Sequence, residues 1–198
     1  MAVIDHAATP AHAPPQAIVV AGVDLSDPAA ADAAMHKAHD ALGGLDALLN
    51  IAGGFAWEKV ENGGSETWAA LHRLNVQTAL NASRAAIPYL KASPAGRIVN
   101  VGSAAALKAG VGMGAYAASK AGVHALTQAL AEELKEAGVT VNAVLPSIID
   151  TPQNRADMPK ADPAKWVSPH DLAAVILFLA SEEARAITGA LIPVTGKV

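Results

Sequence analysis

Three residues in the middle of the chain, Ser103, Tyr116 and Lys120, could together move a proton to or from an alcohol. Tyr116 and Lys120 form a Y-x-x-x-K pair in an alanine-rich stretch, and a four-residue step on a helix places both side chains on one face. An ammonium beside a phenol favours the phenolate, so we expect Lys120 together with a cationic cofactor to lower the pKa of Tyr116 from about 10 toward neutrality. Ser103 would hydrogen-bond the reacting oxygen. The set predicts a general acid/base site.

A Y-x-x-x-K pair alone is a weak motif, and most of the support for a catalytic interpretation comes from the elements around it. The stretch 96–103 reads as a short apolar strand that delivers Ser103 at its carboxyl end. A second apolar run, 48–54, leads into a turn of small residues, and a third, 139–146, leads into a loop marked by proline. Such strands, alternating with helical patterns, predict a parallel sheet wrapped by helices.

The predicted elements follow from apolar runs, capping residues and glycine or proline punctuation. The predicted strands are 2–5, 17–23, 45–51, 98–101, 139–145 and 190–194. The predicted helices are 28–42, 65–91, 115–137 and one that starts after Ser168 as its N-cap. The glycine cluster 110–114 is expected to be a loop that lines the substrate site.

The order of these motifs resembles the short-chain dehydrogenase/reductase family over nearly the whole chain. The resemblance implies an α/β fold: a Rossmann-like, doubly wound parallel sheet with helices on both faces, here without its first β-α unit. Residues 1–198 would form a single, incomplete domain. The implied activity is NAD(P)-dependent interconversion of an alcohol and a carbonyl by hydride transfer.

The resemblance also assigns roles to four catalytic candidates. Tyr116 would be the acid/base, Lys120 would tune it and hold the nicotinamide ribose, and Ser103 would position the substrate oxygen. Asn75, in the sequence Leu-Asn-Val of a helical segment, would hold a water of a proton relay. The alternative for Asn75 is an ordinary helix asparagine.

The cofactor-binding positions implied by the resemblance lie mainly after the predicted strands. They are Asp5, Asp24, Leu25, Asn50, Ala52, Gly53, Tyr116, Lys120, Pro146, Ile149 and Thr151. An acid at the tip of the second family strand hydrogen-bonds the ribose 2′-hydroxyl and repels a 2′-phosphate, so Asp5 favours NAD over NADP. The alternative for Asp5 is a turn aspartate facing solvent. Ile51 and Ser147 replace an asparagine and a glycine common in the family.

Family members normally begin with a strand, a glycine-rich turn and a helix that hold the cofactor pyrophosphate. Here residues 1–5 look like the second strand of the family. We expect the two strands that would flank the first one to have edges without ladder partners. Three explanations stay open: an upstream start outside this chain, a short product that fills the slot by rearrangement or strand exchange, and a non-catalytic relic.

The substrate is poorly specified by the sequence, and two alternatives accompany the main interpretation. The stretches 52–56 and 150–159 are similar to the dihydropteridine reductase branch, which generally lacks the serine found at Ser103, so a pteridine substrate is the runner-up. The alternative from another class is a truncated family remnant that serves as a binding or assembly subunit. Arg155 and Trp166 could touch substrate, although a solvated arginine and a packed tryptophan are expected.

The composition is 52% hydrophobic and 4% aromatic, with a net charge of −4, which predicts no nucleic-acid partner. No signal peptide is evident and the longest apolar run, 172–180, is shorter than a membrane span, so we expect a cytoplasmic protein without membrane contact. His36 and His39 share a helix face but read as surface residues rather than metal ligands. By family resemblance we expect a homo-oligomer, a dimer or tetramer, paired through helices 65–91 and 115–137.

Overall fold

Strands and helices alternate along the computed structural model, which describes residues 1–10 and 13–198. The strands are β1 (Ala2–Ile4), β2 (Ile18–Val20), β3 (Ala47–Asn50), β4 (Arg97–Val101), β5 (Thr140–Pro146) and β6 (Leu191–Val194). The α-helices are α1 (Pro28–Leu42), α2 (Ser65–His72), α3 (Thr78–Ala92), α4 (Gly114–Leu134), α5 (Pro152–Asp157) and α6 (Pro169–Leu179). A π-helical segment, Arg73–Gln77, joins α2 to α3.

All strand pairs are parallel, and they form two sheets in the described residues: β1–β2, and β3–β4–β5–β6 in that order. The parallel α/β prediction is confirmed. Within residues 1–10 and 13–198, β1 pairs with β2 alone and β3 with β4 alone, so each has one edge without a ladder partner, as predicted. Burial follows the pairing: β5 is buried throughout, whereas every residue of β1 is only half-buried.

Helices cover both faces of the four-stranded sheet because successive side chains of its strands point to opposite sides. Ile98 of β4 joins a cluster with residues of α1, α3 and α4, including Leu90 and Leu130. Its neighbour Val99 joins a second cluster, with Leu172 and other residues of α6. The tight core between these layers fixes the carboxyl ends of β3, β4 and β5 relative to α4.

Helix α1 begins and ends, and helix α6 begins, where the sequence places them, because their capping residues act locally. Asp27 accepts a hydrogen bond from the Ala29 N–H at the start of α1, and Gly43 ends that helix in the left-handed region (φ +76°). Ser168 accepts from the Asp171 N–H at the start of α6.

Other boundaries differ from the sequence predictions. The predicted helix 65–91 is interrupted by the π-helical segment, and the predicted strand 17–23 is only three residues long. The proline-rich stretch expected as a loop contains α5, where Thr151 accepts a hydrogen bond from the Asn154 N–H and Pro152 takes the first position. Strand ends are set by pairing partners, which the sequence does not display.

His36 and His39 both contact Tyr89. The Nδ1 atom of His36 lies 3.1 Å from the Tyr89 hydroxyl, and the ring of His39 stacks on the phenol at 4.3 Å between centroids. Within the described part of the chain, no group of three or more His, Cys, Asp or Glu side chains could hold a metal ion. Across residues 1–10 and 13–198, no helix has the length and apolar character that crossing a membrane requires.

Candidate active site

Ser103 and Tyr116 meet where the carboxyl end of β4 faces the first turn of α4. Ser103 is buried (5% exposed), and its hydroxyl accepts a hydrogen bond from the Ala105 N–H at 3.2 Å. The Ser103 hydroxyl also faces the Tyr116 phenol closely enough to lower the pKa of that phenol. The predicted serine–tyrosine pair is therefore assembled in the fold.

The pKa of Tyr116 is raised by the protein around it. Burial raises it above its usual value of 10.0, and the Ser103 hydroxyl opposes that rise only partly. The lowering of this pKa by Lys120 together with a cationic cofactor stays a prediction, and the Lys120 ammonium itself donates to the Val101 carbonyl at 2.7 Å. A spacing of four residues fixed the helix face but not the direction of the lysine side chain.

Lys120 is a buried cation with unused hydrogen-bonding capacity. Burial lowers its pKa from 10.5 to about 8. An ammonium has three donors, and among the described residues the Nζ atom of Lys120 has the Val101 carbonyl as its hydrogen-bond acceptor. A Cβ atom built on Gly53 would lie 3.3 Å from that Nζ, so the ammonium lies beside the glycine turn after β3. Two donors there could take the hydroxyls of a bound ligand.

Asn75 connects three elements of the site from inside the π-helical segment. Its Oδ1 accepts from the Gly54 N–H at 2.9 Å, and its Nδ2 donates to the Gly54 carbonyl at 3.1 Å and to the Ser119 hydroxyl at 2.9 Å. The Ser119 hydroxyl donates to the Tyr116 carbonyl at 2.7 Å. Asn75 is thus buried, and both polar atoms of its side chain bind neighbours in the site. π-Helical turns of this kind are frequent at functional sites.

His124 is a site residue that the sequence reasoning missed. Its Nε2 lies 3.3 Å from the backbone N of Ser103, so the ring accepts that hydrogen bond and must carry its own proton on Nδ1. Burial and the charge of Lys120 lower the pKa of His124 below 6.5, which keeps the acceptor free. Helical periodicity could have predicted its position, because Tyr116, Lys120 and His124 follow one another at four-residue steps on one helix face.

Asn50 belongs to a buried polar network under the site rather than to its surface. Its Nδ2 donates to the Ser83 hydroxyl at 3.0 Å and to Asn100 Oδ1 at 2.8 Å. Asn100 in turn donates to the Thr127 hydroxyl at 2.9 Å. The network joins β3 and β4 to α3 and α4, and its members satisfy each other's polar groups in the core.

The acidic cofactor candidates lie in turns after β1 and β2. Asp5 Oδ1 accepts from the Ala7 N–H at 2.7 Å, so Asp5 is a turn aspartate, while its carboxylate stays only half-buried at the strand tip. Hydrogen bonds from Ser26 lower the pKa of the exposed Asp24 carboxyl. Leu25 is held by Asn81 of α3, whose Nδ2 donates to the Leu25 carbonyl at 3.0 Å.

The remaining candidates follow β5, the neighbour of β4. Pro146 ends that strand, Ile149 forms an isolated parallel bridge with Val167, and Thr151 caps α5. Ala52 and Gly53 are exposed in the turn after β3. These residues share the carboxyl edge of the sheet with Ser103, where parallel α/β folds bind ligands.

Trp166 and Arg155 have the surroundings that the sequence analysis expected. Trp166 is 8% exposed and packed, as expected. Arg155 lies on the surface and pairs with Asp150 through two hydrogen bonds of 2.6 and 2.8 Å.

The family assignment comes from comparison with known proteins. The family model described as short chain dehydrogenase matches residues 3–162. The chain belongs to this family. Its members are oxidoreductases that take nicotinamide cofactors and small-molecule substrates. The predicted family, and with it the Rossmann-like class of the fold, is confirmed.

Known short chain dehydrogenases resemble the chain over most of its length. The 3-oxoacyl-acyl-carrier-protein reductase FabG of Vibrio cholerae is 31% identical over 182 residues, which cover 88% of this chain and 75% of the reductase. A protein of Xanthobacter autotrophicus named inactive 2-(S)-hydroxypropyl-CoM dehydrogenase 2 is 35% identical, covering 88% of this chain and 82% of that one. The ligand-free aldohexose dehydrogenase of Thermoplasma acidophilum superposes with a TM-score of 0.85 at 28% identity, covering 93% of this chain and 79% of that one.

Proposed function

We propose that this short chain dehydrogenase interconverts an alcohol and a carbonyl compound with Tyr116 as the acid/base. The observation that carries the proposal is the assembled group itself: a phenol whose pKa is affected by the Ser103 hydroxyl, one turn from a buried ammonium whose acceptor among the described residues is the Val101 carbonyl. Structural packing alone gives no reason to bury a lysine without a carboxylate partner, because an unpaired buried charge is costly.

Each side chain has one task in this proposal. The Ser103 hydroxyl holds the substrate oxygen against the phenol, and Tyr116 gives that oxygen a proton in reduction or removes it in oxidation. The raised pKa of Tyr116 keeps the phenol protonated at neutral pH, which suits the proton donor of a reduction. Asn75 holds the turn at Gly54 against α4, and a water beside it would relay protons toward Lys120.

The residues present fit a nicotinamide cofactor at the carboxyl edge of the sheet. The free donors of Lys120 suit the ribose hydroxyls, and Gly53 leaves the space in front of them open. The other candidates follow strand ends: Asp24 and Leu25 come after β2, and Pro146, Ile149 and Thr151 lie at or after the end of β5. Such a cofactor supplies or accepts the hydride. We propose NAD as the better ligand, because the half-buried Asp5 carboxylate at the tip of β1 suits a ribose 2′-hydroxyl and repels a 2′-phosphate.

A homo-oligomer completes the proposal. Leu74 and Leu80, in the π-helical segment and α3, each expose more than two fifths of their surface. Both lie in the stretch 65–91, which the family resemblance gives as one of the helical stretches that pair between copies. Light scattering coupled to gel filtration gives the mass directly, and a mass of one chain at micromolar concentration would contradict this part.

The experiment that tests the function combines binding with turnover. Calorimetric titration of the chain with NAD and NADH should give dissociation constants between micromolar and low millimolar. In a screen of alcohols and ketones followed by NADH absorbance, Tyr116→Phe should lose about 10²- to 10⁴-fold in rate while circular dichroism stays unchanged.

The matched control is Tyr89→Phe, which alters the only other tyrosine of the chain, on α3 where it contacts His36 and His39. It should keep full turnover. Unchanged turnover in Tyr116→Phe would remove the acid/base assignment. A folded chain that neither binds NAD(H) nor turns over any substrate would instead favour the binding or assembly subunit.

A further inference from the structure

The segment 51–64 after β3 places exposed aromatic side chains beside the proposed acid/base. The ring of Phe55 meets the Tyr116 ring edge-to-face, with 5.0 Å between centroids and 79° between planes. Phe55 nevertheless keeps 58% of its surface exposed. An aromatic side chain left open next to a reactive phenol is apolar surface that a substrate could cover.

Trp57 extends this apolar surface toward the turn at Gly112, which precedes α4. The Glu58 N–H donates to the Gly112 carbonyl at 2.8 Å, which ties the segment to the turn before α4. The indole lies directly over Gly112, where an added Cβ would clash with its Nε1. Gly112 has φ +74°, so this position suits glycine both by conformation and by space. Trp57 is therefore positioned by its contacts, yet 58% of it is exposed.

Two aliphatic side chains of the loop between Ser103 and α4 are also uncovered, Leu107 (63% exposed) and Val111 (74% exposed). Val111 adjoins the Gly112 turn over which the Trp57 indole lies, and we call Phe55, Trp57 and Val111 the aromatic wall. Ligand sites in enzymes are mostly apolar surfaces with a few convergent polar groups. Here the polar groups at the wall are Ser103 and Tyr116, joined to it through the contact of Phe55 with Tyr116.

We propose that the aromatic wall binds the ring of an aryl-bearing ketone or secondary alcohol, an inference that rests on the proposed function. Aromatic rings pack favourably edge-to-face or offset on other rings. A ring placed against Phe55 and Trp57 would leave the attached carbonyl in front of Ser103 and Tyr116. A short aliphatic substrate would reach the same polar groups but leave most of the wall in water.

The test compares an aryl methyl ketone with methyl ethyl ketone in the presence of NADH. The aryl ketone should have a kcat/KM at least about 10-fold higher, and Phe55→Ala or Trp57→Ala should lower that ratio by about 10-fold. Phe178→Ala, which removes an exposed aromatic side chain on α6, is the control and should leave the ratio unchanged. Equal kcat/KM for the two ketones, or a ratio insensitive to both wall variants, would overturn the proposal.

A binding measurement separates this inference from the proposed function. The aryl ketone should quench tryptophan fluorescence saturably, and Trp57→Phe should remove most of that quenching while Trp68→Phe retains it. Saturable quenching without turnover of any ketone would contradict the proposed function and leave the aryl site standing. Turnover of short ketones without quenching by the aryl ketone would support the proposed function and contradict the aryl site.

Discussion

The backbone N–H of Ser103 donates to Nε2 of His124, at 3.3 Å, across the space between β4 and α4. Lys120, one turn earlier on the same helix face, binds the Val101 carbonyl. Two side chains of α4 thus hold two backbone groups of the segment that carries Ser103. The position of the Ser103 hydroxyl depends on a neutral imidazole, since a protonated ring has no acceptor.

We expect His124→Ala to lower kcat by about 10-fold or more with little change in KM, because the substrate oxygen is held less well in the transition state. His124→Gln, whose amide oxygen can accept the same hydrogen bond, should recover much of the loss. An equal loss in both variants would contradict the role of the acceptor and favour a packing effect.

The same histidine predicts a pH dependence. Its pKa is lowered in the folded chain, so below pH 6.5 the unfolded chain binds more protons. Stability from this group is complete above about pH 6.5 and is lost as the pH falls through the folded pKa. Urea unfolding between pH 5 and 7 should show this slope in the parent chain and a flatter one in His124→Gln. The exposed His170→Gln is the control.

The sequence predicts best what neighbouring residues decide. Asp27 and Gly43 delimit α1 because a cap acts within a few residues. The face shared by Tyr116 and Lys120 follows from helical periodicity. The motif for α5 was also present, since Thr151 followed by Pro152 has the form of an N-cap and a first helical position. The helix was not predicted because six residues are too few to show helical periodicity.

Long-range packing decides what the sequence did not predict. The π-helical turn at Asn75 depends on partners at Gly54 and Ser119, which are distant in sequence. The direction of Lys120 depends on the Val101 carbonyl, and the pKa of Tyr116 depends on how deeply α4 packs. No local pattern encodes these distances, so the residue types of the site were predictable while its electrostatics were not.

Lys120 should make the chain more stable at mildly alkaline pH. Its pKa is about 8 when folded, against 10.5 for an ordinary lysine, so between these values the unfolded chain binds more protons. The free energy of unfolding should therefore rise with pH from about 8 to 10, by at most about 1.4 kcal/mol per pH unit. Urea titrations of Lys120→Met should lack this rise. The exposed Lys37→Met should retain it, and a rise that persists without Lys120 would refute the assignment.

Gly53 is required by the side chains packed against it. A Cβ there would lie 2.6 Å from Asn75 Oδ1 and 3.3 Å from Lys120 Nζ, which forces a shift in the site. We expect Gly53→Ala to cost about 1–3 kcal/mol of stability and most of the activity. Repeating the substitution in an Asn75→Ala background removes the closest atom. The stability cost should then shrink, and additive costs would show that the strain lies elsewhere.

Asp5 should determine the choice between the two nicotinamide cofactors. Replacing it by alanine removes the carboxylate that suits the ribose hydroxyl, so NAD binding should weaken by about 10-fold while NADP binding stays level or improves. Calorimetry with both cofactors measures the ratio, and Asp32→Ala on the surface of α1 is the control. Equal weakening of NAD and NADP would mean that Asp5 serves only its own turn, where it binds the Ala7 N–H.

The free edges of β1 and β3 should be visible in hydrogen exchange. In a parallel ladder, the N–H groups of a strand point alternately to its two neighbours, and β3 has one described neighbour, β4. Amides of Leu48 and Leu49 should therefore exchange faster on average than those of Val141 and Val144 in β5, which pairs on both sides. Equal protection would show that the edge of β3 is covered. Protection that grows with protein concentration would show that a second copy covers it, which favours strand exchange among the explanations for the open slot.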